Sequence, residues 1–416
     1  MIKRVVITGL GAITPIGNDA KFYWDNLLKG VSGANKISRF DTTKFKTDFA
    51  CEVKNYNALN YFDKKESRKL DRFNQYGLIA ADEAIKDAHL NFDKLDTDRI
   101  GVIFSSGIGG FETIEKDIIE FSQNEFNPRF SPFFITKIIA NSVAGYLSIK
   151  YGLRGVNTCT VTACSSSTNG LIQAFNYIKW GKADIIISGG SEAPINQSAV
   201  GGFNAMKALS TNNENYKTAS RPFDISRDGF VLGEGAGALV VESLESALKR
   251  NAKIYAEITG GGETSDAYHI TSTHPEGKGA YLAMKEAIRE GEIMPNDVDY
   301  INAHATSTGP GDLSETKAIE TLFKDKLENI SISGTKSMTG HLLGGTGAIE
   351  AVATCLSVHT DLIPPTISTT NIDEAISSKL NLTLGKQIKK PVNYAISNTF
   401  GFGGHCAAVL VKKYNQ

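Results

Sequence analysis

The chain holds five cysteines and seven histidines, and the neighbours of a few of them suggest chemistry. Cys164 lies in TVTACSSSTNGLIQAFNYIKWG (160–181), where small polar residues give way to apolar ones at helical spacing. Leu171, Phe175 and Ile178 recur at i, i+4 and i+7, and Gly181 supplies a stop. The preceding VNTCTVTA (156–163) reads as a strand, so the thiol falls at or just before a helix N-terminus. Free N–H groups and the positive end of the helix dipole favour a thiolate there, the form that attacks carbonyl carbon. Ser165, Ser166 and Ser167 are small enough to let a substrate approach. Position alone also suits a buried structural thiol, and Cys159, read inside the strand, fits that description better.

A cysteine nucleophile needs groups that move protons or stabilise negative charge, supplied by loops after other strands. His304 follows VDYIN and opens HATSTGPGD, while His341 lies in GTKSMTGHLLGGTGAIEA with Lys336 five residues before it. Each histidine falls where a strand ends, facing the crevice in which open α/β sheets bind ligands. Loop capping is the plainer alternative for both, and a surface charge for Lys336. His89, His274 and His359 fall in contexts that suit a solvated or packed ring. No metal site is expected: there is no H-E-x-x-H, and no carboxylate is placed to complete a ligand set. Cys51, Cys159, Cys164, Cys355 and Cys406 are scattered without a C-x-x-C, which suits reduced thiols.

Two glycine-rich stretches invite nucleotide readings and do not support them. TGLGAITPIG (8–17) lacks the third glycine of a dinucleotide fingerprint, and the lysine of GTKSMTG precedes the loop instead of closing a phosphate-binding pattern. SNTFGFGGHCAA (397–408) differs, because a glycine run interleaved with Phe400 and Phe402 suggests close backbone approaches beside a mobile aromatic. Such N–H groups can hold an oxyanion.

The elements that would carry these residues are short β-branched runs alternating with helical patterns. In the first part these are KRVVITG (3–9), IGVIFSS (100–106), ADIIISGG (183–190) and GALVVES (237–243). The second part has KIYAEITG (253–260), VDYINAHA (298–305), NISISGT (329–335), VNYAISN (392–398) and HCAAVLVKK (405–413). Runs apolar on both faces indicate buried strands between helices, hence a layered α/β fold. GAYLAMKEAIREGEI (279–293) stripes Leu282, Met284, Ala287 and Ile288 on one helix face, with Gly291 as a stop. The two parts share a rhythm without a visible residue repeat, and a soft seam falls near LKRNAKI (248–254).

Bulk properties narrow the function. With 44 Lys+Arg against 45 Asp+Glu, the net charge of -1 supplies no basic excess for nucleic acid. No apolar run approaches the roughly 18–20 residues of a membrane span, and MIKRVVITGLG carries no signal-peptide pattern. A cytoplasmic protein is expected, with neither nucleic acid nor membrane as partner.

Together TACSSS, NAHATSTGPGD, TKSMTGHLLGGTGAIEA and NTFGFGG resemble the four signature regions of the elongating, type II β-ketoacyl-[acyl-carrier-protein] synthases. The resemblance runs nearly end to end, through SRPFDISRDGFVLGEGAGALVVE and SDAYHITS. It implies a thiolase-like α/β fold, layered α-β-α-β-α and built from two similar halves. Residues 1–250 would carry the nucleophilic cysteine and 251–416 the catalytic histidines. The implied reaction is decarboxylative Claisen condensation of malonyl-carrier protein with a cysteine-bound acyl chain, giving 3-oxoacyl-carrier protein.

By the same resemblance the nucleophile is Cys164, the catalytic histidines are His304 and His341, and Lys336 and Glu350 support them. The N–H groups of Cys164 and Phe402 would form the oxyanion hole, with the Phe402 ring as a gate and Asp266 and His269 in the loop that moves with it. Thr306 and Thr308 would hold the pantetheine arm, and Ile108, Phe203 and Phe400 would line the acyl pocket. No cofactor is implied, since the substrates carry phosphopantetheine.

The implied partners are an acidic acyl carrier protein and a second copy in a homodimer. KKESRKLDR (64–72) places Lys64, Lys65, Arg68, Lys69 and Arg72 at helical spacing, and Arg129 and Lys207 match further docking positions. Three departures from the type II pattern are SSSTN after the cysteine, Gly309-Pro310 in TSTGPGD, and His405-Cys406 after the glycine loop. They keep open a second reading, a polyketide or aryl-polyene ketosynthase, alone or paired with a non-catalytic chain-length factor.

Overall fold

Two sets of β-branched runs, one in each half of the chain, build the frame. The computed structural model describes residues 2–415. The first half contributes β1 (Val5–Ile13), α1 (Arg72–Asp87), β2 (Ile100–Ser105), β3 (Asn157–Thr158), α2 (Ser166–Lys179), β4 (Ile185–Glu192) and β5 (Gly235–Ser243). The second contributes β6 (Ala256–Ser265), α3 (Lys278–Glu290), β7 (Tyr300–Asn302), α4 (Gly309–Phe323), β8 (Ser331–Ser333), α5 (Thr346–Thr360), β9 (Tyr394–Gly401) and β10 (His405–Lys412).

Hydrogen bonding orders them β8-β7-β9-β10-β6-β1-β5-β4-β2-β3, with Asn381–Leu382 added outside β8. Each half, taken by itself, has its third, second, fourth, fifth and first strands side by side in that order, so the halves share one topology. They meet where Val5–Ile7 of β1 pairs with Ala256–Ile258 of β6, while β1 runs along β5 from Val5↔Ser243 to Ile13↔Ala236.

The strand period of two sorts side chains into layers. Leu239 and Val241 of β5 and Ala407, Val409 and Val411 of β10 enter a central core, joined there by Leu171, Phe175 and Ile178 of α2 and by Ile349, Val352 and Val358 of α5. The alternate residues Ala236, Ala238 and Val240 pack outward against α1, and Ala408 and Leu410 against α3 and α4. The result is a thiolase-like α-β-α-β-α stack, with α2 and α5 as the inner helix layer. A buried Phe175 contributes about 2–3 kcal/mol, which ties the helix behind Cys164 to that layer.

Local signals place most elements. α2 ends at Lys179 and the chain turns through Gly181 at φ 71°, while α3 is capped by Gly291 with Met284, Ala287 and Ile288 buried and Leu282 half-buried. Two expectations differ. The strand read over 156–163 is only Asn157–Thr158, leaving Cys159 half-buried beyond it, because an edge strand has a partner, β2, on one side only. The basic run 64–72 is not one helix: a short helix, Lys64–Ser67, ends before Asp71. Asp71 then starts α1 through a capping box in which the Asn74 side chain accepts from the Asp71 N–H at 2.9 Å.

Candidate active site

The chain approaches α2 through a tight turn, Ala163–Ser165, in which Ala163 adopts the left-handed region at φ 51°. A non-glycine residue held there costs about 1–2 kcal/mol, and the turn sets Cys164 at the head of α2. The residue is 8% exposed. The backbone N–H groups of Phe402 and of Cys164 itself, and the positive charge of Lys336, favour the thiolate. Burial outweighs all three, aided by the Glu192 carboxylate, and pushes the thiol up to about 11. The expected resting thiolate is therefore corrected: in this site the group is a thiol at neutral pH, because desolvation exceeds what the helix end and two amides return.

The second half builds the same turn before α5. Leu343–Gly345 matches Ala163–Ser165, with Leu343 at φ 47°, and Gly344 stands where Cys164 stands. Just upstream, His341 is buried, and its Nδ1 pairs with Thr346 Oγ1 at 2.9 Å. His304 follows β7 and meets His341 ring to ring, centroids 5.3 Å apart at 85°. Phe400 packs on His304 at 5.5 Å and Phe230 on His341 at 5.3 Å. Burial, and then the Lys336 ammonium, hold both imidazoles well below their ordinary pKa, with His341 adding to the effect on His304. Both rings are neutral at pH 7. Nδ1 of His304 is buried with no hydrogen-bond partner among the described residues.

Lys336 is not a surface charge. Its side chain is 1% exposed, and the ammonium pairs at 2.6 Å with Oε1 of Glu350, whose side chain is 0% exposed and which also accepts from Thr335 Oγ1 at 3.2 Å. Burial, offset in part by Lys336, raises the Glu350 carboxyl to about 7. Neither residue lines the cavity; they sit behind it and act on it through charge.

That cavity has a volume of about 660 Å³, a size suited to a small-molecule chain. Cys164, His304, His341 and Phe402 share it with Thr306 and Thr308, whose hydroxyls bond each other at 2.9 Å. Ile108, Phe203 and Phe400 are also on its wall, as are Asp266 and Lys207. Between β9 and β10 the chain turns through Gly403 and Gly404, at φ 88° and 77°, conformations that favour glycine. This turn is clasped to the 266–277 loop: Asp266 N–H donates to Gly404 O at 2.8 Å and Gly403 N–H to Ile270 O at 2.7 Å. Asp266 in turn accepts from the N–H groups of His274 and Gly279, each at 3.0 Å. His269 is off the cavity wall and exposed, with Nδ1 accepting from the N–H groups of Thr271 and Ser272.

Family models match residues 2–247 as the N-terminal domain of β-ketoacyl synthases and residues 255–370 as their C-terminal domain. The chain belongs to the β-ketoacyl synthase family. It is 50% identical over 413 residues to 3-oxoacyl-[acyl-carrier-protein] synthase 2 of Staphylococcus aureus strain COL, covering 99% of each chain. The synthase of the same name from Synechocystis is 46% identical over 412 residues, covering 99% of this chain and 98% of that one. Among solved structures, a type II polyketide ketosynthase in complex with its acyl-carrier protein matches at TM-score 0.92 and 31% identity over 100% of both chains. A β-ketoacyl synthase from Burkholderia phymatum matches at TM-score 0.91 and 31% identity, covering 99% of this chain and 100% of that one. This synthase is thus a condensing enzyme of the acyltransferase type.

Around the site of this synthase, three buried groups were not singled out from the sequence. Glu315 of α4 accepts the N–H of His304 at 2.9 Å and of Ala305 at 2.8 Å, and Asn398 Nδ2 donates to it at 3.0 Å. Glu192, at the end of β4, is buried behind Ile108. Only an acidic residue closing an apolar strand, as in IIISGGSE, could have drawn attention to Glu192; Glu315 reads as an ordinary helix acid.

Of the basic residues, Lys64, Lys65, Arg68, Arg129 and Lys207 are exposed, and Lys69 is half-buried with its ammonium 5.6 Å from the Phe133 ring centre. None of the six forms an ion pair among the described residues. Arg72 is different, because its guanidinium is occupied by Glu112 at 2.9 Å. Among the described residues no cluster of three or more His, Cys, Asp or Glu could hold a metal ion, and no helix is long and apolar enough to cross a membrane.

Proposed function

We propose that this enzyme elongates fatty acyl chains by decarboxylative condensation on an acyl carrier protein, with Cys164 as nucleophile. The observation that carries the reading is a single cavity lined by Cys164, by Phe402 and by two neutral, mutually packed imidazoles, His304 and His341. The thiol proton passes to a neutral imidazole as Sγ attacks the acyl thioester. The oxyanion is held by the N–H groups of Cys164 and Phe402, each such donor lowering the barrier by about 3–4 kcal/mol. The carrier sulfur takes that proton back from the imidazolium and leaves as a thiol, which restores the neutral ring, and the acyl chain stays on Cys164.

Malonyl-carrier protein follows, its pantetheine arm on Thr306 and Thr308. Loss of carbon dioxide leaves an enolate whose oxygen accepts hydrogen bonds from His304 and His341, which neutrality makes single-proton donors of fixed direction. The carbanion attacks the acyl-cysteine and expels the thiolate, giving the 3-oxoacyl product two carbons longer. Lys336 and Glu350 keep the histidines neutral and oriented. Ile108, Phe203 and Phe400 enclose the acyl chain, and Phe402 gates it together with the loop bearing Asp266 and His269. The 50% identity to synthase 2 relatives, against 31% to polyketide ketosynthases, favours fatty-acid elongation over the polyketide reading.

Lys64, Lys65, Arg68, Lys69, Arg129 and Lys207 form the proposed docking face for an acidic carrier, Lys207 standing at the cavity itself. A homodimer is proposed as well. Its support is the open edge strand β3, flanked by exposed Ile149 and Val161, which a second copy would cover. The division at residue 250 follows the repeated strand order, and the cytoplasm is the proposed location. No cofactor is invoked beyond the phosphopantetheine of the substrates.

The deciding experiment supplies acyl- and malonyl-carrier protein, then the matching coenzyme A thioesters, and records carbon dioxide release and the mass added to Cys164. Acyl-Cys164 and carbon dioxide from the carrier-bound pair are expected. Product from coenzyme A thioesters alone, without carbon dioxide, would defeat the reading.

A further inference from the structure

The part of the cavity wall that carries Ile108 is held from behind by one carboxylate. Glu192 ends β4, is 1% exposed and is not itself on the cavity wall. Its Oε1 accepts from Ser106 Oγ at 2.8 Å, Ile108 N–H at 3.1 Å and Gly109 N–H at 3.3 Å. Its Oε2 accepts from Gly107 N–H at 2.8 Å and Gly344 N–H at 2.9 Å. Five donors thus saturate a single buried charge and join two segments distant in sequence, the loop after β2 and the turn before α5.

Steric fit agrees with the hydrogen bonds. A Cβ on Gly344 would lie 2.1 Å from Gly107 N and 2.8 Å from Glu192 Oε2, so both segments are pressed together around the carboxylate. Ile108 is the one residue of Gly107–Gly109 with a side chain, and its backbone is tied at all three positions. A buried carboxylate with every lone pair occupied is rigid, since any movement of the loop strands either the charge or a donor.

We propose that Glu192 is a positioning residue that sets acyl-chain selectivity, by locking the loop 106–109 against Gly344 so that Ile108 presents a fixed surface to the growing chain. The inference rests on the ketosynthase reading above. Glu192 touches no reacting atom; its effect on selectivity runs through Ile108, while the charge it adds near Cys164 bears on every chain length alike. Unlocked, the loop can yield to chains of the wrong length, and discrimination flattens.

The test loads Cys164 from carrier proteins bearing acyl chains of graded length and compares initial rates by intact mass. Glu192→Gln keeps the shape but turns an NH2 group towards N–H donors. In that variant the rate ratio of the preferred chain to one four carbons longer is expected to fall about tenfold, the size of a misfit in an apolar pocket. Alkylation of Cys164 by iodoacetamide, too small to feel the pocket end, serves as the control and should change less than the ratio. Ser106→Ala removes one donor without stranding a charge, so it decides the matter if Glu192→Gln fails to fold; a fall of about threefold in the ratio is expected. Rates reduced equally for every chain length, or an unaltered ratio in a folded Ser106→Ala, would overturn the inference. If the unaltered protein took up no acyl group from any carrier, the functional reading would fall and this inference with it, whereas normal uptake with an unshifted ratio defeats the inference alone.

Discussion

The turns before α2 and α5 occupy the same place in their halves, carry a left-handed residue at the same position, and put different chemistry on it. Cys164 follows Ala163 at φ 51°, and Gly344 follows Leu343 at φ 47°. The fifth residue of α2 is Gly170, while the fifth residue of α5 is Glu350, the partner of Lys336. One turn presents a thiol to the cavity; the other has no side chain there, which admits Gly107 N and the Glu192 carboxylate. A duplicated frame can therefore place the nucleophile in one half and the charge that tunes it in the other. The backbone strain is common to both turns, so it belongs to the frame and not to the chemistry.

The largest effect that would test this asymmetry is removal of the thiol. Cys164→Ala should abolish acyl uptake and lower condensation by at least about 10⁴-fold, read by intact mass and product formation; substantial residual transfer would mean that the nucleophile lies elsewhere.

On the second half, Lys336→Met leaves Glu350 buried without its partner. A loss of about 3–5 kcal/mol in urea unfolding is expected, and a double variant that also makes Glu350 apolar should regain most of it.

Exchanging the turns' logic gives the next effect. Gly344→Ala pushes a methyl into Gly107 and Glu192 and should cost about 1–3 kcal/mol or more, seen as a lowered midpoint of thermal unfolding. An unchanged midpoint would show that the close approach is not needed.

The pH dependence separates burial from the helix end. With the thiol raised to about 11, its thiolate fraction below that pH grows tenfold per unit. Alkylation of Cys164 should then rise about a hundredfold from pH 7 to pH 9. A plateau near the ordinary thiol range would mean that the two amides and the dipole prevail over burial.

Smallest is Thr346→Val, which removes the hydroxyl paired with His341 Nδ1. A fall of about three- to tenfold in kcat with little change in KM is expected, and an equal change in KM would point to the substrate site instead.

Some of this was legible in the residues alone. The strand period, the Leu171-Phe175-Ile178 stripe and the stops at Gly181 and Gly291 are local signals, and each produced the element expected. The motifs at 164, 304 and 341 pointed to residues that the structure brings to one cavity. VNTCTVTA failed as a strand because β propensity cannot show that the run lies at an edge. KKESRKLDR failed as one helix because the first ends at Ser67 and Asp71, near the end of the run, caps a new one together with Asn74. Glu192 was invisible because its partners are backbone amides of segments far away in sequence, and Glu315 because nothing local shows that the chain folds the His304 and Ala305 amides back onto its helix.

Residue order alone determined where most strands and helices form and which turn holds the thiol, because periodicity, caps and glycine conformations act over a few neighbours. Tertiary packing decided the protonation of Cys164, His304 and His341, the pairing of Arg72 with Glu112, and the burial of Lys336. Those depend on desolvation and on charges brought together across both halves, and only the assembled layers supply either.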